Sequence, residues 1–168
     1  HTGYRRQRQM CIRDSLCAIA LFAGKYFNNK YLAYLLPLLA LWISDILINN
    51  FILNNYFDGF NLFYSGFYWQ YGSFILITLI GRKTLKNISF LRLLGISISS
   101  SLLFFIISNF GVWISSSFYS MDIFGLVACY VAAIPFYYGT LSGTIFYSFF
   151  LFGSYEFLSR KLSKVTSN

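Results

Sequence analysis

Charged side chains are scarce in this sequence. Asp, Glu, Lys and Arg make up 11% of the 168 residues, against about 25% in a soluble globular domain. Hydrophobic residues make up 57%, and the mean hydropathy is +0.60. So little polar surface cannot cover a water-facing domain of this size, which excludes a soluble enzyme, a nucleic-acid module and a disordered tail. The composition predicts a small integral membrane protein in contact with a lipid bilayer.

Histidine and regularly spaced cysteines are also lacking. The only histidine is His1, and the three cysteines show no CxxC or metal-ligand spacing. These absences argue against a metal site, a disulfide framework and histidine-based catalysis. The acids after residue 15 are Asp45, Asp58, Asp122 and Glu156, and they are not placed for acid–base chemistry. We therefore expect no catalytic residue, no metal and no cofactor, and we do not expect an enzyme.

The positive net charge of +8 does not indicate a nucleic-acid partner. Four of the thirteen basic residues lie in the first fifteen positions, and the others lie next to apolar runs. Basic residues in short loops beside membrane helices set the orientation of those helices and need no polyanionic partner.

Residues 1–15 differ from the rest of the chain. They are polar, rich in Arg and Gln, and without periodicity. They resemble the conceptual translation of a sequencing adaptor, so we interpret them as a non-native leader. The alternative is a genuine basic leader on the cytoplasmic side. The next run, Leu16–Phe27, has twelve residues where a spanning helix needs about 20, which predicts a truncated helix and a further helix lost upstream.

Several longer apolar runs follow, separated by loops that alternate in charge. The runs are Tyr31–Leu47, Phe67–Ile80, Phe90–Trp113, Ile123–Phe136 and Gly139–Leu158. Basic loops alternate with loops that contain no Lys or Arg. The positive-inside rule places the basic loops in the cytoplasm. This pattern predicts a multi-pass protein of the inner (cytoplasmic) membrane. Residues 16–158 form one transmembrane domain, and residues 159–168 form a basic cytoplasmic tail.

The run Ile123–Phe136 allows two interpretations. A cytoplasmic tail permits one crossing between Asp122 and Arg160, and fourteen residues is the length of a re-entrant or interfacial segment. We therefore predict a short re-entrant or interfacial helix here, followed by the last span. The alternative is a sixth, thin span with the tail outside. The predicted fold class is an all-α integral membrane protein with a bundle of five to six helices.

Small residues predict which helix faces pack closely. Ala33, Ala40 and Ser44 recur at helical spacing in one run, and Gly139 and Gly143 form a GxxxG in another. Such faces let membrane helices approach each other. We expect them to pack within the chain rather than to form a homodimer.

The candidate ligand-binding residues are polar or aromatic and lie toward the outer side. Asp45 is a carboxylate in an apolar run, which is costly at membrane depth and therefore suggests function. Asn109 can donate and accept hydrogen bonds, and Gly111 lets another backbone or a ligand approach. With Trp113, Trp69 and Tyr130 they predict an outward-facing, aromatic pocket with a few polar anchors.

Each of these residues also has a structural interpretation. Asp45 would then be a helix-end residue at the outer interface, hydrogen-bonded to Asn109 or to a tyrosine. The aromatic residues would form the belt that membrane proteins place at the interface between lipid and water.

Four short runs resemble a family of uncharacterised bacterial transmembrane proteins. They are Ala18–Phe27, Leu36-Pro37 with Ser44-Asp45, Asn109–Trp113 and Cys129–Phe136. More remotely, the layout is similar to the substrate-binding S components of energy-coupling-factor (ECF) vitamin transporters. That resemblance implies six helices, both ends in the cytoplasm, and an outer pocket for a vitamin or similar nutrient. It also implies that small-residue helix faces dock a separate transmembrane coupling subunit.

Two functions fit these observations. The first is the small-molecule-binding subunit of an uptake transporter, with a small hydrophobic or aromatic ligand. The alternative is a structural or accessory membrane protein without a ligand, in which the outer polar residues satisfy each other and leave no cavity.

Overall fold

A computed structural model of the protein describes residues 14–47, 66–85, 87–115 and 118–166. Within these ranges the chain forms five α-helices and no strand, which confirms the all-α prediction. The helices are α1 (Asp14–Tyr26), α2 (Lys30–Leu47), α3 (Phe67–Thr84), α4 (Phe90–Ser115) and α5 (Ile123–Thr166). By length and composition, α2, α4 and α5 could each cross a membrane. Asp58 and residues 1–13 of the predicted leader lie outside the described residues.

Helix α1 lies at the centre of the bundle. It packs against each of the other four helices, which follow one another around it in the order α2, α3, α4, α5. Its side chains on all sides are 0% exposed: Cys17, Ala18, Ala20, Leu21 and Ala23. A helix that is apolar all round belongs inside a fold, and this short helix is the core of the described bundle.

Two glycines permit the closest approach of α1 to α3. A methyl group added at Gly24 would collide with the carbonyl oxygen of Thr78, and one at Gly81 would lie 2.9 Å from the carbonyl oxygen of Leu21. Backbone therefore meets backbone at this crossing, which is the geometry that small residues allow in membrane helices. Neither Gly24 nor Gly81 was among the contact positions predicted from small residues.

The buried face of α2 lies beside the face predicted from small residues. Ala33 is fully buried, as predicted, but Ala40 and Ser44 are only partly buried. The residues that face the bundle recur every four positions: Ala33, Pro37, Leu41 and Asp45. After Pro37 the buried positions therefore no longer coincide with the small residues, and Asp45 is one of the buried positions.

The GxxxG of α5 also lies at the edge of its contact face. Gly139 and Gly143 are partly buried, whereas the fully buried positions are each one residue later or on the same stripe: Thr140, Thr144, Ser148 and Phe152. Phe152 meets Phe22 and Tyr26 of α1, and Thr140 lies beside Asn109 of α4.

The segment before the last span is not a separate element. Ile123–Phe136 forms the first third of α5, a continuous helix of 44 residues that contains Pro135. In a bilayer, a broken helix would expose backbone polar groups to lipid, so a helix that continues through proline is the cheaper solution. At 1.5 Å per residue α5 is about 66 Å long, about twice the thickness of the hydrocarbon core. The chain therefore passes along the bundle once after Asp122.

The basic residues gather at one end of the bundle. Arg82 near the end of α3 bonds to the carbonyls that follow α1, and Phe90 at the start of α4 packs on Phe149, 4.9 Å between ring centroids. The described cations at this basic end are Lys25, Lys30, Arg82, Lys83, Arg92, Arg160 and Lys161. The C-termini of α2 and α4 and the N-termini of α3 and α5 lie at the opposite end, which we call the Asp45 end.

Candidate functional site at the Asp45 end

All five predicted ligand-binding residues lie at the Asp45 end, but they occupy different helix interfaces. Asp45 lies between α2 and α3, and Trp69 lies between α3 and α4. Asn109 and Tyr130 lie between α4 and α5, and Trp113 contacts the connection that precedes α5. The fold thus brings Asn109 and Tyr130 together. In the described part of the chain it does not gather all five around one cavity.

Asp45 is a buried carboxylate, 1% exposed. It reaches the interior because it continues the stripe of α2 that begins at Ala33. The Tyr71 hydroxyl donates a hydrogen bond to its Oδ2 atom over 3.3 Å. The tyrosine partner considered from the sequence is therefore present, and Asp45 is held between α2 and α3.

Asn109 is equally buried, at 1% exposed, on the face of α4 that meets α5. Its amide nitrogen donates to the carbonyl oxygen of Phe105 over 2.8 Å, while its Oδ1 atom has no hydrogen-bond partner among the described residues. Beside it lies a cavity of about 10 Å³ whose walls include Ser108, Tyr137 and Thr140. That volume and those polar walls suit a single water molecule.

Trp69 explains the glycine at position 111. The Trp69 ring packs edge-on against Phe110, 5.1 Å between centroids, and a methyl group at Gly111 would lie 2.5 Å from the Trp69 Cβ atom. The close approach that Gly111 suggested in the sequence is thus occupied by a side chain of α3. The indole nitrogen of Trp69 is buried and has no hydrogen-bond partner in the described ranges.

Tyr130 fastens α5 to α4. Its hydroxyl donates to the carbonyl oxygen of Ile106 over 2.7 Å, and its ring lies 5.7 Å from the ring of Phe105. Next to it, the Cys129 thiol reaches the carbonyl oxygen of Asn109 at 3.5 Å. The Tyr130 hydroxyl is thus engaged with the backbone of the neighbouring helix.

Trp113 and Asp122 order the connection between α4 and α5. The Trp113 indole donates to the carbonyl oxygen of Ser120 over 2.9 Å. The Oδ1 atom of Asp122 accepts from the Ser120 hydroxyl and from the Gly125 amide, both at 2.6 Å. An acceptor just before a helix that bonds its third amide is an N-cap. These residues therefore fix where α5 begins.

The Asp122 cap is expected to make the start of α5 sensitive to acid. The hydrogen bond from Ser120, followed by that from the Gly125 amide, holds the pKa of the Asp122 carboxyl below its ordinary value. A lowered pKa in the folded state means that the cap stabilises the helix above the unfolded-state pKa and is lost as pH falls through the folded one. Amide exchange of the first turn of α5, corrected for intrinsic rates, should accelerate over that range.

Two substitutions separate titration from capping. Asp122→Asn keeps an N-cap acceptor but cannot ionise, so its first-turn protection should not change with pH in the acid range. Asp122→Ala should lose protection at every pH. If Asp122→Asn kept the acid dependence of the wild type, the assignment of the cap would be contradicted.

Buried hydroxyl groups form a further polar feature that the sequence analysis missed. On α4 they are Ser97, Ser100 and Ser101, and on α5 they are Thr140, Thr144 and Ser148. The antiparallel pairing of the helices, fixed by Phe90 with Phe149 and by Asn109 with Cys129, brings Thr140 to the depth of the three serines. Their spacing of three and four positions was the available signal. Ser101 bonds to the carbonyl of Ile98, so such groups can be served by their own helix.

Metal binding finds no support in the described ranges. No cluster of three or more His, Cys, Asp or Glu residues there could hold an ion.

An all-helical bundle with long apolar helices and a cationic end defines a multi-pass membrane protein. The chain belongs to DUF6580, a family of unknown function whose sequence pattern matches residues 8–165. No curated protein and no solved structure matches it. The family match includes residues 8–15, so the non-native origin of the leader stays a prediction.

Proposed function

We propose that this protein is the small-molecule-binding subunit of an uptake system, with its ligand at the Asp45 end. The observation that carries the proposal is the buried Asp45 carboxylate. No Lys or Arg occurs between Lys30 and Arg82 or between Arg92 and Arg160. A carboxylate kept at membrane depth in such surroundings is costly, and a binding role accounts for that cost.

Two further polar atoms at this end support a ligand with hydrogen-bonding groups. They are the Oδ1 atom of Asn109, an acceptor, and the indole nitrogen of Trp69, a donor. A buried polar group without a partner costs about 1–3 kcal/mol. Asn109 lies where α4 meets α5 and Trp69 lies where α3 meets α4, so a separation of α4 from these neighbours would expose each atom to a ligand. In this proposal, the water-sized cavity beside Asn109 is the closed form of the site.

The proposed orientation follows from charge. The positive-inside rule places the basic end in the cytoplasm and the Asp45 end outside. The inner (cytoplasmic) membrane, a vitamin-like ligand and a transmembrane coupling subunit come from the resemblance to ECF S components and belong to the proposal alone.

Orientation can be tested with reporters at the C-terminus. Because α5 runs once from the Asp45 end to the basic end, a tail reporter should report the cytoplasm. A fluorescent protein that matures only in the cytoplasm should glow, and alkaline phosphatase, active only outside, should be silent. The reverse pattern would overturn both the orientation and the outward-facing site.

Ligand binding can be tested by native mass spectrometry of the protein released from membranes in mild detergent. The wild type should carry a small molecule, and Asp45→Asn should lose it while keeping its helical circular dichroism. Asp122→Asn is the matched control, since it removes the same charge from the exposed cap of α5, and it should keep the ligand. Retention in Asp45→Asn, or a wild type that carries only lipid, would contradict the proposal.

A specific observation favours the second candidate, an accessory protein without a ligand. The polar groups of Trp113 and Tyr130 bond to backbone carbonyls, and the cavity beside Asn109 is about 10 Å³. In that case Asp45 serves to join α2 to α3 through Tyr71. Asp45→Asn would then lower thermal stability without changing any bound molecule.

A further inference from the structure

A cavity opens at the basic end, away from the proposed ligand site. It has a volume of about 400 Å³ and lies between the C-terminal ends of α1 and α3. Its walls come from Gly24, Lys25, Phe27, Asn28, Arg82 and Leu85. Two of these residues are cations and none is an acid.

The glycine crossing explains why two cations share one cavity. Lys25 directly follows Gly24, and Arg82 directly follows Gly81. Because the two glycines let α1 and α3 touch, the residues that follow them are brought to the same wall. Each of the two helices thus carries a glycine followed by a cation, and the crossing places both cations beside the same cavity.

Arg82 is held in position by the end of α1. Its two terminal nitrogens donate to the carbonyl oxygens of Phe27 and Asn28, over 3.1 and 3.3 Å. A cation there also complements the negative end of the helix dipole. These bonds use two of the five N–H donors of the guanidinium group, which is thereby oriented for a planar or tetrahedral oxyanion.

The surroundings of the cavity add positive charge. Lys30, Lys83 and Arg92 lie at the same end, and the Glu156 carboxylate there accepts a hydrogen bond from Tyr26 over 2.7 Å. Like charges gathered at one place repel each other, and an anion bound between them removes that repulsion.

The side chains that line the cavity indicate which class of anion it would bind. An arginine beside a lysine suits phosphate oxygens. The cavity lies where α1 and α3 end, which is the depth of lipid headgroups in a spanning bundle. Large apolar side chains at the same end are exposed, among them Tyr31, Phe90 and Leu91, and they offer a surface for acyl chains.

We propose that this cavity binds the phosphate group of an anionic phospholipid in the leaflet that faces the basic end, with Lys25 and Arg82 as its ligands. The shared chemistry with free phosphate is the oxyanion, and the lipid is favoured by the exposed apolar residues at the same end of the bundle. The proposal does not depend on the function of the Asp45 end.

The experiment compares lipid retention between variants in nanodiscs and in native mass spectra. Wild type should select phosphatidylglycerol over phosphatidylcholine. Lys25→Gln should weaken this selection about tenfold or more, because it removes a charge-assisted hydrogen bond to the lipid phosphate. Lys83→Gln is the matched control, since Lys83 is exposed at the same end but does not line the cavity, and it should behave as wild type.

Other outcomes would overturn the proposal. Equal losses in Lys25→Gln and Lys83→Gln would mean diffuse attraction to a charged surface. Displacement of the lipid by inorganic phosphate at low concentration would assign the cavity to a soluble anion. Arg82→Gln adds a second comparison where it folds. Because Arg82 makes the two hydrogen bonds to the end of α1, the lysine variant keeps the test valid if Arg82→Gln does not fold.

Discussion

Gly24→Ala is expected to destabilise the protein by about 3 kcal/mol, the upper part of the range for overpacked cores. The added methyl group would meet the Thr78 carbonyl oxygen and would lie 3.0 Å from the Arg82 backbone nitrogen. Backbone atoms in the middle of a helix cannot move aside as a flexible side chain can. The helices must therefore separate, and α1 would lose contact with α3 along the crossing. Equilibrium unfolding in mixed micelles would measure the loss.

A second glycine in α3 provides the control. A methyl group at Gly72 would meet no heavy atom within 4 Å. Alanine is the better helix former by about 0.5–1 kcal/mol, so Gly72→Ala should leave stability unchanged or raise it slightly. Gly81→Ala should follow Gly24→Ala, since its methyl group would lie 2.9 Å from the Leu21 carbonyl oxygen. Equal stability of Gly24→Ala and Gly72→Ala would show that α1 and α3 do not touch as described.

The helix boundaries were predictable because hydropathy reports them directly. Phe67–Ile80 and Phe90–Trp113 were predicted as apolar runs, and α3 and α4 begin at the same residues. The continuity of α5 was harder to predict from the sequence. Ile123–Phe136 was predicted as a separate segment from its length and from the charge rule, and neither observation reports whether the helix continues past Phe136. A bilayer penalises an open backbone more than it penalises a proline in a helix, which favours the continuous helix.

The close helix contacts were harder to predict. A GxxxG search finds glycines repeated on one helix, and it selected Gly139 and Gly143. The tightest crossing instead pairs Gly24 with Gly81, one glycine on each of two helices. What each glycine approaches is a carbonyl oxygen, which every residue has, so no residue type marks the partner. Only the three-dimensional arrangement reveals the contact.

The candidate site was only partly predictable from the sequence. A lone acid in an apolar run is conspicuous, and Asp45 is buried with a tyrosine partner. The sequence also indicated aromatic residues near the same end, but it did not indicate which groups they contact. Trp113 and Tyr130 bond to carbonyls of Ser120 and Ile106, and these acceptors carry no sequence signal. Assignment to a pocket required knowing which interface each side chain enters.

Phe152→Ala is expected to be the most damaging truncation in α5, with a loss of about 3–5 kcal/mol. Phe152 is 1% exposed, and its ring lies 5.5 Å from the rings of both Phe22 and Tyr26 on α1. Lipid cannot reach a side chain buried this deeply, so the vacated volume would remain a cavity and the aromatic contacts with α1 would be lost. Unfolding of detergent-solubilised protein would measure the change.

The same helix carries a matched control for that truncation. Phe150 is 60% exposed on α5, and lipid or detergent would fill the space left by Phe150→Ala. Its effect should stay within about 0.5 kcal/mol. The contrast depends on α1 lying against this face of α5, because Phe152 contacts rings of α1 whereas Phe150 stacks on Phe146 of its own helix. If both variants lost the same stability, α1 could not be the centre of the bundle, and the cavity at its C-terminal end would lose its wall as well.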